Sequence, residues 1–248
     1  VVRQLTAGKV CDTFVLQKGD RKFFLKVLLQ KQKVRMLRFE HEAFLLQGCG
    51  VPGVPTCRLG VQTYFDTPYF MAQFIDGRSL QSILEKRKLR EAEVIRVALV
   101  ISDILASLHL RGIIHRDVKP GNILFSTKTK RLYLGDFGFA LSEYLDDEAE
   151  DMMRDTGLSL GTKDFLPPEA MREIVTEATA DVFSFGASIF YMLTGNTRTV
   201  RMHANAEGQD LPDPRKLNPD LSLDWKDFMQ GALAKDPRSR SVSYTHLR

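Results

Sequence analysis

His115-Arg116-Asp117-Val118-Lys119-Pro120-Gly121-Asn122 is the stretch on which the reading of this chain turns, and fourteen residues past its Asn comes Asp136-Phe137-Gly138. A carboxylate, an ammonium and an amide fall within six residues. A second carboxylate follows two short apolar runs, Ile123-Leu124-Phe125 and Leu132-Tyr133-Leu134, which are patterned as a hairpin. These groups suit phosphoryl transfer from a metal-bound nucleotide, where a protein mostly positions reactants and neutralises charge. One acid can orient an acceptor hydroxyl and an ammonium can neutralise the moving phosphoryl. An amide and a second acid can hold a divalent metal.

Taken in order along the chain, the motifs resemble those of the eukaryotic-type (Hanks-type) protein kinases. The resemblance runs from about Leu5 to Arg240 and implies an α+β, two-lobed fold. A small β-rich lobe with one main helix would occupy about residues 1–75, and a larger, mostly helical lobe about residues 76–240. ATP and Mg2+ would lie in the cleft between them. In that likeness Asp117 acts on the acceptor hydroxyl, Lys119 stabilises the transferring phosphoryl, and Asn122 and Asp136 are the metal ligands.

Outward toward the N-terminus, Leu5-Thr6-Ala7-Gly8-Lys9-Val10-Cys11-Asp12-Thr13-Phe14-Val15 stands where the family carries a glycine-rich phosphate loop. Gly8 is the one glycine kept of three, and by itself the segment reads as an ordinary hairpin turn. Arg21 to Val27 alternates as a strand, which puts Phe24 and Lys26 on one face. A helix is predicted from about Gln32 to Leu46, and the resemblance pairs its Glu42 with Lys26. Glu40 is the reserve partner, because two positions on a helix differ by about 200° and only one of the two acids can face the cleft. Phe24 stands where kinases usually carry a small Ala against the adenine. Tyr69 to Gly77 resembles a strand running into the interlobe hinge, with Ala72 where a larger side chain is usual. A large-for-small change facing a small-for-large one would conserve pocket volume. By this likeness the nucleotide would meet Leu5, Gly8, Thr13, Phe24, Lys26, Ala72, Gln73, Ile75 and Leu124.

Toward the C-terminus, Ser79 to Lys86 reads as a short helix with Ser79 as its cap. Glu91 to Leu110 repeats apolar residues at helical spacing through Val94, Val97, Ala98, Ile101, Ile104, Leu105 and Leu108. Gly138 to Glu169 resembles an activation segment, and its Thr162 together with Lys119 matches the Ser/Thr-kinase pattern. Within it, Thr156 and Ser159 are candidate phosphorylation sites, beside the acidic run Asp146-Asp147-Glu148-Ala149-Glu150-Asp151. The resemblance makes Asp181, at the head of an apolar helix to about Thr194, an anchor for the catalytic-loop backbone, and pairs Glu169 with Arg240. His109 and His203 show no ligand spacing and read as ordinary helix or loop residues. Trp225 reads as core on an amphipathic segment from Leu221 to Leu233. Asn196 to Asp220 is polar and Pro-rich, so a helix expected there would be short or displaced. Residues 241–248 do not continue the pattern and read as a truncated or non-native tail resembling translated adapter sequence.

Composition agrees with a globular chain. Hydrophobic residues make up 44% and charged residues 27%, and no apolar run approaches the ~20 residues of a membrane helix. A net charge of +4 without a basic block gives no nucleic-acid signature. Cys11, Cys49 and Cys57 share no metal-ligand spacing, which suggests reduced thiols in an intracellular, cytoplasmic protein. No signal peptide is evident, although the chain starts at Val1 without a Met. The expected partner is a protein substrate with a Ser or Thr acceptor, and no motif fixes an oligomeric state. The alternative is a pseudokinase that binds or scaffolds, for which Phe24, Thr6 and Cys11 speak. A small-molecule kinase would lack the Gly161 to Glu169 segment.

Overall fold

A computed structural model describes residues 3–145, 148, 149, 152, 164–171, 177–205, 213–222 and 225–240. The readings placed on Thr156, Ser159, Thr162, most of the acidic run and residues 241–248 fall outside these residues.

Alternation of side chains builds the small lobe first. Strands β1 (Arg3–Thr6), β2 (Cys11–Lys18), β3 (Arg21–Leu28), β4 (Gln62–Tyr64) and β5 (Thr67–Gln73) form an antiparallel sheet in the order β1-β2-β3-β5-β4. Along β5, Pro68, Phe70 and Ala72 are buried while their neighbours are not, the two-residue period of a strand with one face on the core. Helix α1 (Lys33–Gly48) packs its Phe39 ring against Phe70 of β5, ring centroids 4.9 Å apart. That contact sets how close the helix lies to the sheet.

The predicted short helix is α2 (Leu80–Leu84), and the Ser79 side chain accepts from the Ser82 N–H as an N-cap should. The long helix is α3 (Glu91–His109), with Glu91 and Glu93 in its first turn and His109 in its last, the charge order that its dipole favours. Ala98, Ile101, Leu105 and Leu108 on it are fully buried, each large side chain contributing about 1.5–3 kcal/mol through removal from water. Helix α4 (Thr179–Thr194) is buried on nearly every side, as a helix apolar all round must be. Between Asn196 and Asp220 a real helix does form, α5 (Arg198–Asn205), followed later by a single 3-10 turn at Pro214–Lys216. Helix α6 (Lys226–Ala232) is shorter than the predicted Leu221–Leu233, with Trp225 as its N-cap residue. The Trp225 indole is buried and its Nε1–H donates to Glu91 Oε1 at 2.8 Å, tying the last helix to the start of α3.

Three small pairings position the site. β6 (Gly77–Ser79), β8 (Ile123–Ser126) and β9 (Leu132–Leu134) form one sheet in the order β6-β8-β9, and β7 (Ile113–Ile114) pairs with β10 (Leu141–Ser142). The catalytic-loop motif therefore emerges between β7 and β8, and Asp136-Phe137-Gly138 between β9 and β10. Far below, Arg240 is buried with its Nη2 donating to Glu169 Oε2 at 2.8 Å and Nη1 to Glu169 Oε1, while Nε donates to the Ala234 carbonyl at 2.7 Å. Removing one partner leaves a charge stranded. Arg240→Met should lower unfolding free energy by about 3–5 kcal/mol in urea titration; a loss under about 1 kcal/mol would show the pair to be dispensable.

Candidate active site

Lys26 points from the cleft face of β3 and donates to both carboxylate oxygens of Glu42, at 2.9 and 2.7 Å. Glu42 is buried on α1 and Glu40 is exposed, which settles the choice between them. Asp136 Oδ1 lies 3.5 Å from the same ammonium. Burial alone would lower the Lys26 pKa, but Glu42 and then Asp136 outweigh it and hold the ammonium above its usual range. Partial desolvation by the cleft walls would raise the Asp136 carboxyl, whose side chain stays open to the cleft, yet Lys26 above all, with Lys119 and the Gly138 N–H, brings it below the ordinary value. Both groups are thus charged at neutral pH. Gly138 is tight against this pair: a Cβ there would lie 3.3 Å from Glu42 Oε2 and 3.4 Å from Asp136 Oδ1.

On the opposite wall Asp117 is buried, and one oxygen carries two bonds. Lys119 Nζ donates to Oδ2 at 2.7 Å and Asn122 Nδ2 donates to it at 2.9 Å, while Nδ2 also donates to the Asp117 carbonyl at 2.8 Å. The amide nitrogen of Asn122 is spent on Asp117, so its carbonyl oxygen is the end left for the cleft. His115 is buried beneath; its Nδ1 accepts from the Asp117 N–H at 3.3 Å and its Nε2 contacts the Gly135 carbonyl at 3.0 Å. That pair of contacts is met by a neutral ring protonated at Nε2. The Phe137 ring stands edge-on to His115 with centroids 4.7 Å apart.

Two non-glycine residues of the site, Arg116 (φ 66) and Asp136 (φ 61), hold left-handed backbone, each at a cost of about 1–3 kcal/mol. For Arg116 the compensation is visible. Asp181, fully buried in the first turn of α4, accepts from the Arg116 N–H at 2.7 Å and the His115 N–H at 2.8 Å. Its Oδ2 also meets His109 Nε2 at 2.9 Å. The ordinary reading of His109 missed this role; the signal was its position in the last turn of α3, one short strand ahead of the catalytic loop.

A cleft of about 490 Å3 is lined by Lys26, Glu42, Asn122 and Asp136, whereas Asp117 and Lys119 are not in its lining and connect to it through Asn122. Of the residues expected to meet a nucleotide, Leu5, Thr13, Phe24, Lys26, Ala72, Gln73, Ile75 and Leu124 line it, with Glu42, Asn122 and Asp136. Gly8 does not. It sits in the β1–β2 turn, where its N–H donates to Asp12 Oδ1 at 3.0 Å and a Cβ would be 2.4 Å from the Cys11 carbonyl oxygen. Close backbone approach in the turn thus accounts for this glycine. Thr6 and Cys11, read from sequence as departures from the family pattern, also line the cleft, as do Phe74 and Gly121, to which sequence assigned no role. Burial pushes the Cys11 thiol up from its ordinary value.

Phe24 and Ala72 stand directly opposite each other in the β3–β5 register, and both line the cleft. Directly opposed residues share one face with Cβ atoms about 4.5–5.5 Å apart, which sets the large and the small side chain next to each other. The residues can also supply a metal site of hard oxygens: one ionised carboxylate, Asp136, and one amide oxygen, Asn122, on the same cleft. Among the described residues no group of three or more His, Cys, Asp or Glu could form an all-protein cage. A small divalent ion that keeps waters and binds substrate phosphates needs only such a partial set.

A family model described as "Protein kinase domain" matches residues 4–247. The chain is 28% identical over 238 residues to a probable serine/threonine-protein kinase PknB of Lactococcus lactis, covering 92% of this chain and 36% of that protein. It is 31% identical over 187 residues to a probable serine/threonine-protein kinase PknB of Bifidobacterium longum, covering 73% and 26%. To the serine/threonine-protein kinase PknJ of Mycobacterium tuberculosis it is 29% identical over 259 residues, covering 98% and 43%. The chain therefore spans well under half the length of these relatives. The crystal structure of the Mycobacterium tuberculosis PknI kinase domain, a double mutant, superposes with a TM-score of 0.74 at 20% identity, covering 100% of this chain and 91% of that one. The likeness extends to the whole two-lobed fold.

Two measurements follow from this geometry. In a double-mutant cycle on ATP affinity, Ala72→Met alone should weaken binding, and adding Phe24→Ala should restore it in part. Additive effects would separate the two residues, since coupling is expected only for groups in contact or sharing a cavity. The second concerns acid. Burial would raise the Asp181 carboxyl, but the His109 ring and the loop N–H donors hold it below the ordinary 3.8. A depressed folded pKa contributes stability that is complete above the unfolded value and is lost as pH falls through the folded one. Asp181→Asn should be less stable at pH 7 and lose less stability than the parent as pH drops below 3.8, followed by near-ultraviolet circular dichroism. Equal acid sensitivity would exclude Asp181 as the titrating group.

Proposed function

Because the chain belongs to the protein kinase domain family, we propose that it transfers the γ-phosphoryl of MgATP to a Ser or Thr hydroxyl of a protein substrate. The observation that carries this reading is the state of Asp117: one carboxylate oxygen is held by Lys119 and Asn122, and among the described residues no donor reaches the other. A carboxylate so fixed can accept a hydrogen bond from an incoming hydroxyl and take its proton as the phosphoryl arrives.

Each remaining group has one task. Lys26, kept protonated and aimed by Glu42, neutralises phosphate charge on the nucleotide; Lys119 does the same for the phosphoryl in flight. Asp136 and the carbonyl oxygen of Asn122 would hold Mg2+, which when bound neutralises phosphate charge and aligns the triphosphate. Phe24, Ala72, Ile75 and Leu124 enclose the base, and Leu5 and Thr13 cover it from the β1–β2 side. Gly8 shapes that cover through the turn. Catalysis of this kind is positioning plus electrostatics, and the polar set is complete. The same set weighs against a purely scaffolding role.

Lys119 and Thr162 support Ser or Thr as acceptor. Among the described residues no helix is long and apolar enough to cross a membrane. An intracellular, cytoplasmic setting belongs to the same proposal and rests on the number and spacing of the cysteines.

Asp117→Asn should lower phosphoryl transfer by about 10²–10⁴-fold with nucleotide affinity nearly unchanged. Asp136→Asn should instead lose the magnesium dependence of nucleotide binding. Radiolabelled phosphate incorporation and calorimetric nucleotide titration separate the two effects. Full activity in either variant would remove the kinase assignment.

A further inference from the structure

Behind the hinge, on the side away from the nucleotide, lies a second and larger cavity of about 1030 Å3. Ala72, Gln73, Phe74 and Ile75 border both cavities, so one stretch of chain is the wall between them. The outer groove takes residues from both lobes: the β2–β3 turn and the start of β3, the Thr56–Leu59 segment, and the β8–β9 hairpin through Ser126, Lys128 and Tyr133. Its floor is half-buried and apolar, with Phe23, Met71, Phe74 and Tyr133.

The rim is cationic. Arg21, Lys22, Arg58 and Lys128 face Asp20 and Asp76. Of these acids Asp76 is already taken, 3.3 Å from Lys22 Nζ. Among the described residues no carboxylate lies within ion-pair distance of Arg21, Arg58 or Lys128. Nothing in the nucleotide site uses them. Three cations against the one remaining acid, Asp20, leave an excess of two positive charges around an apolar trough, which complements a ligand carrying both carboxylates and apolar side chains.

We propose that this groove binds an extended acidic polypeptide segment, its apolar side chains on the Phe23–Phe74–Tyr133 floor and its carboxylates on Arg21, Arg58 and Lys128. A polypeptide suits the site better than a nucleic acid. Phosphate backbones are matched by denser positive charge, whereas here Asp20 and Asp76 stand on the rim. An occupant would touch both lobes and the outer face of the segment whose inner face borders the nucleotide.

The test is fluorescence anisotropy with a labelled decapeptide alternating glutamate with leucine and phenylalanine. Saturable binding is expected, weakening as salt rises and undisplaced by a non-hydrolysable ATP analogue. The double reversal Arg58→Glu with Lys128→Glu should weaken it by about tenfold or more. Lys88→Glu, an exposed charge outside the groove, should leave it unchanged, and the milder pair Arg58→Gln with Lys128→Gln should give an intermediate loss. Absence of saturable binding, indifference to both double variants, or full displacement by the nucleotide analogue would overturn the proposal. So would tighter binding of a labelled oligothymidine that shows the same sensitivity to reversal. No turnover is read, so a catalytically silent site would leave this result standing.

Discussion

A single carboxylate that touches no reactant holds the catalytic loop in shape. Asp181 is fully buried, and a buried charge is tolerable only with several donors around it. Here the donors are the N–H groups of His115 and Arg116, with the His109 ring beside them. The loop thereby takes a left-handed turn at Arg116 that its own side chain disfavours. Residues on the far side of that turn, Asp117 to Asn122, inherit their direction from it. The apolar helix α4 exists, in this view, to carry one polar group to the right depth.

A second chain of charges runs across the cleft from Glu42 through Lys26 to Asp136. Its members come from α1, β3 and the β9–β10 connection, three separate elements. Attraction among them offsets the cost of bringing charge out of water. Because the ammonium lies between two acids, a shift of α1 away from the sheet would leave Lys26 to Asp136 alone. Position of the helix and electrostatics of the cleft are therefore one variable.

Much of this is legible in the sequence. Residues whose role depends on local order, such as Asp117, Lys119 and Asn122, can be read because they lie within one loop. The family resemblance paired Lys26 with Glu42, while the 100° step of a helix said only that one of Glu40 and Glu42 could face the cleft; Glu40 is the exposed one. Sequence paired Phe24 with Ala72 as a volume exchange, and the β3–β5 register adds that the two stand directly opposite each other. What stayed hidden depends on contacts between distant segments. His109 gave no pattern because its partner lies 72 positions away. Gly8 was read for phosphate contact, whereas a carboxylate four residues on takes its N–H. The length of α6 was overestimated because apolar periodicity persists through Trp225, a residue buried by tertiary packing just outside the helix.

The cross-strand placement of Phe24 and Ala72 also bears on how such a pocket can change over generations. Two positions that share one volume cannot drift independently. An ancestor with the small residue on β3 and the large one on β5 has two single-step routes to the present pair, and they are unequal. Enlarging β3 first overfills the base site, while shrinking β5 first opens a hole that costs stability but leaves room for the nucleotide. The passable route runs through the hole. Lineages reaching this arrangement would need spare stability at that moment, and once there would be slow to leave.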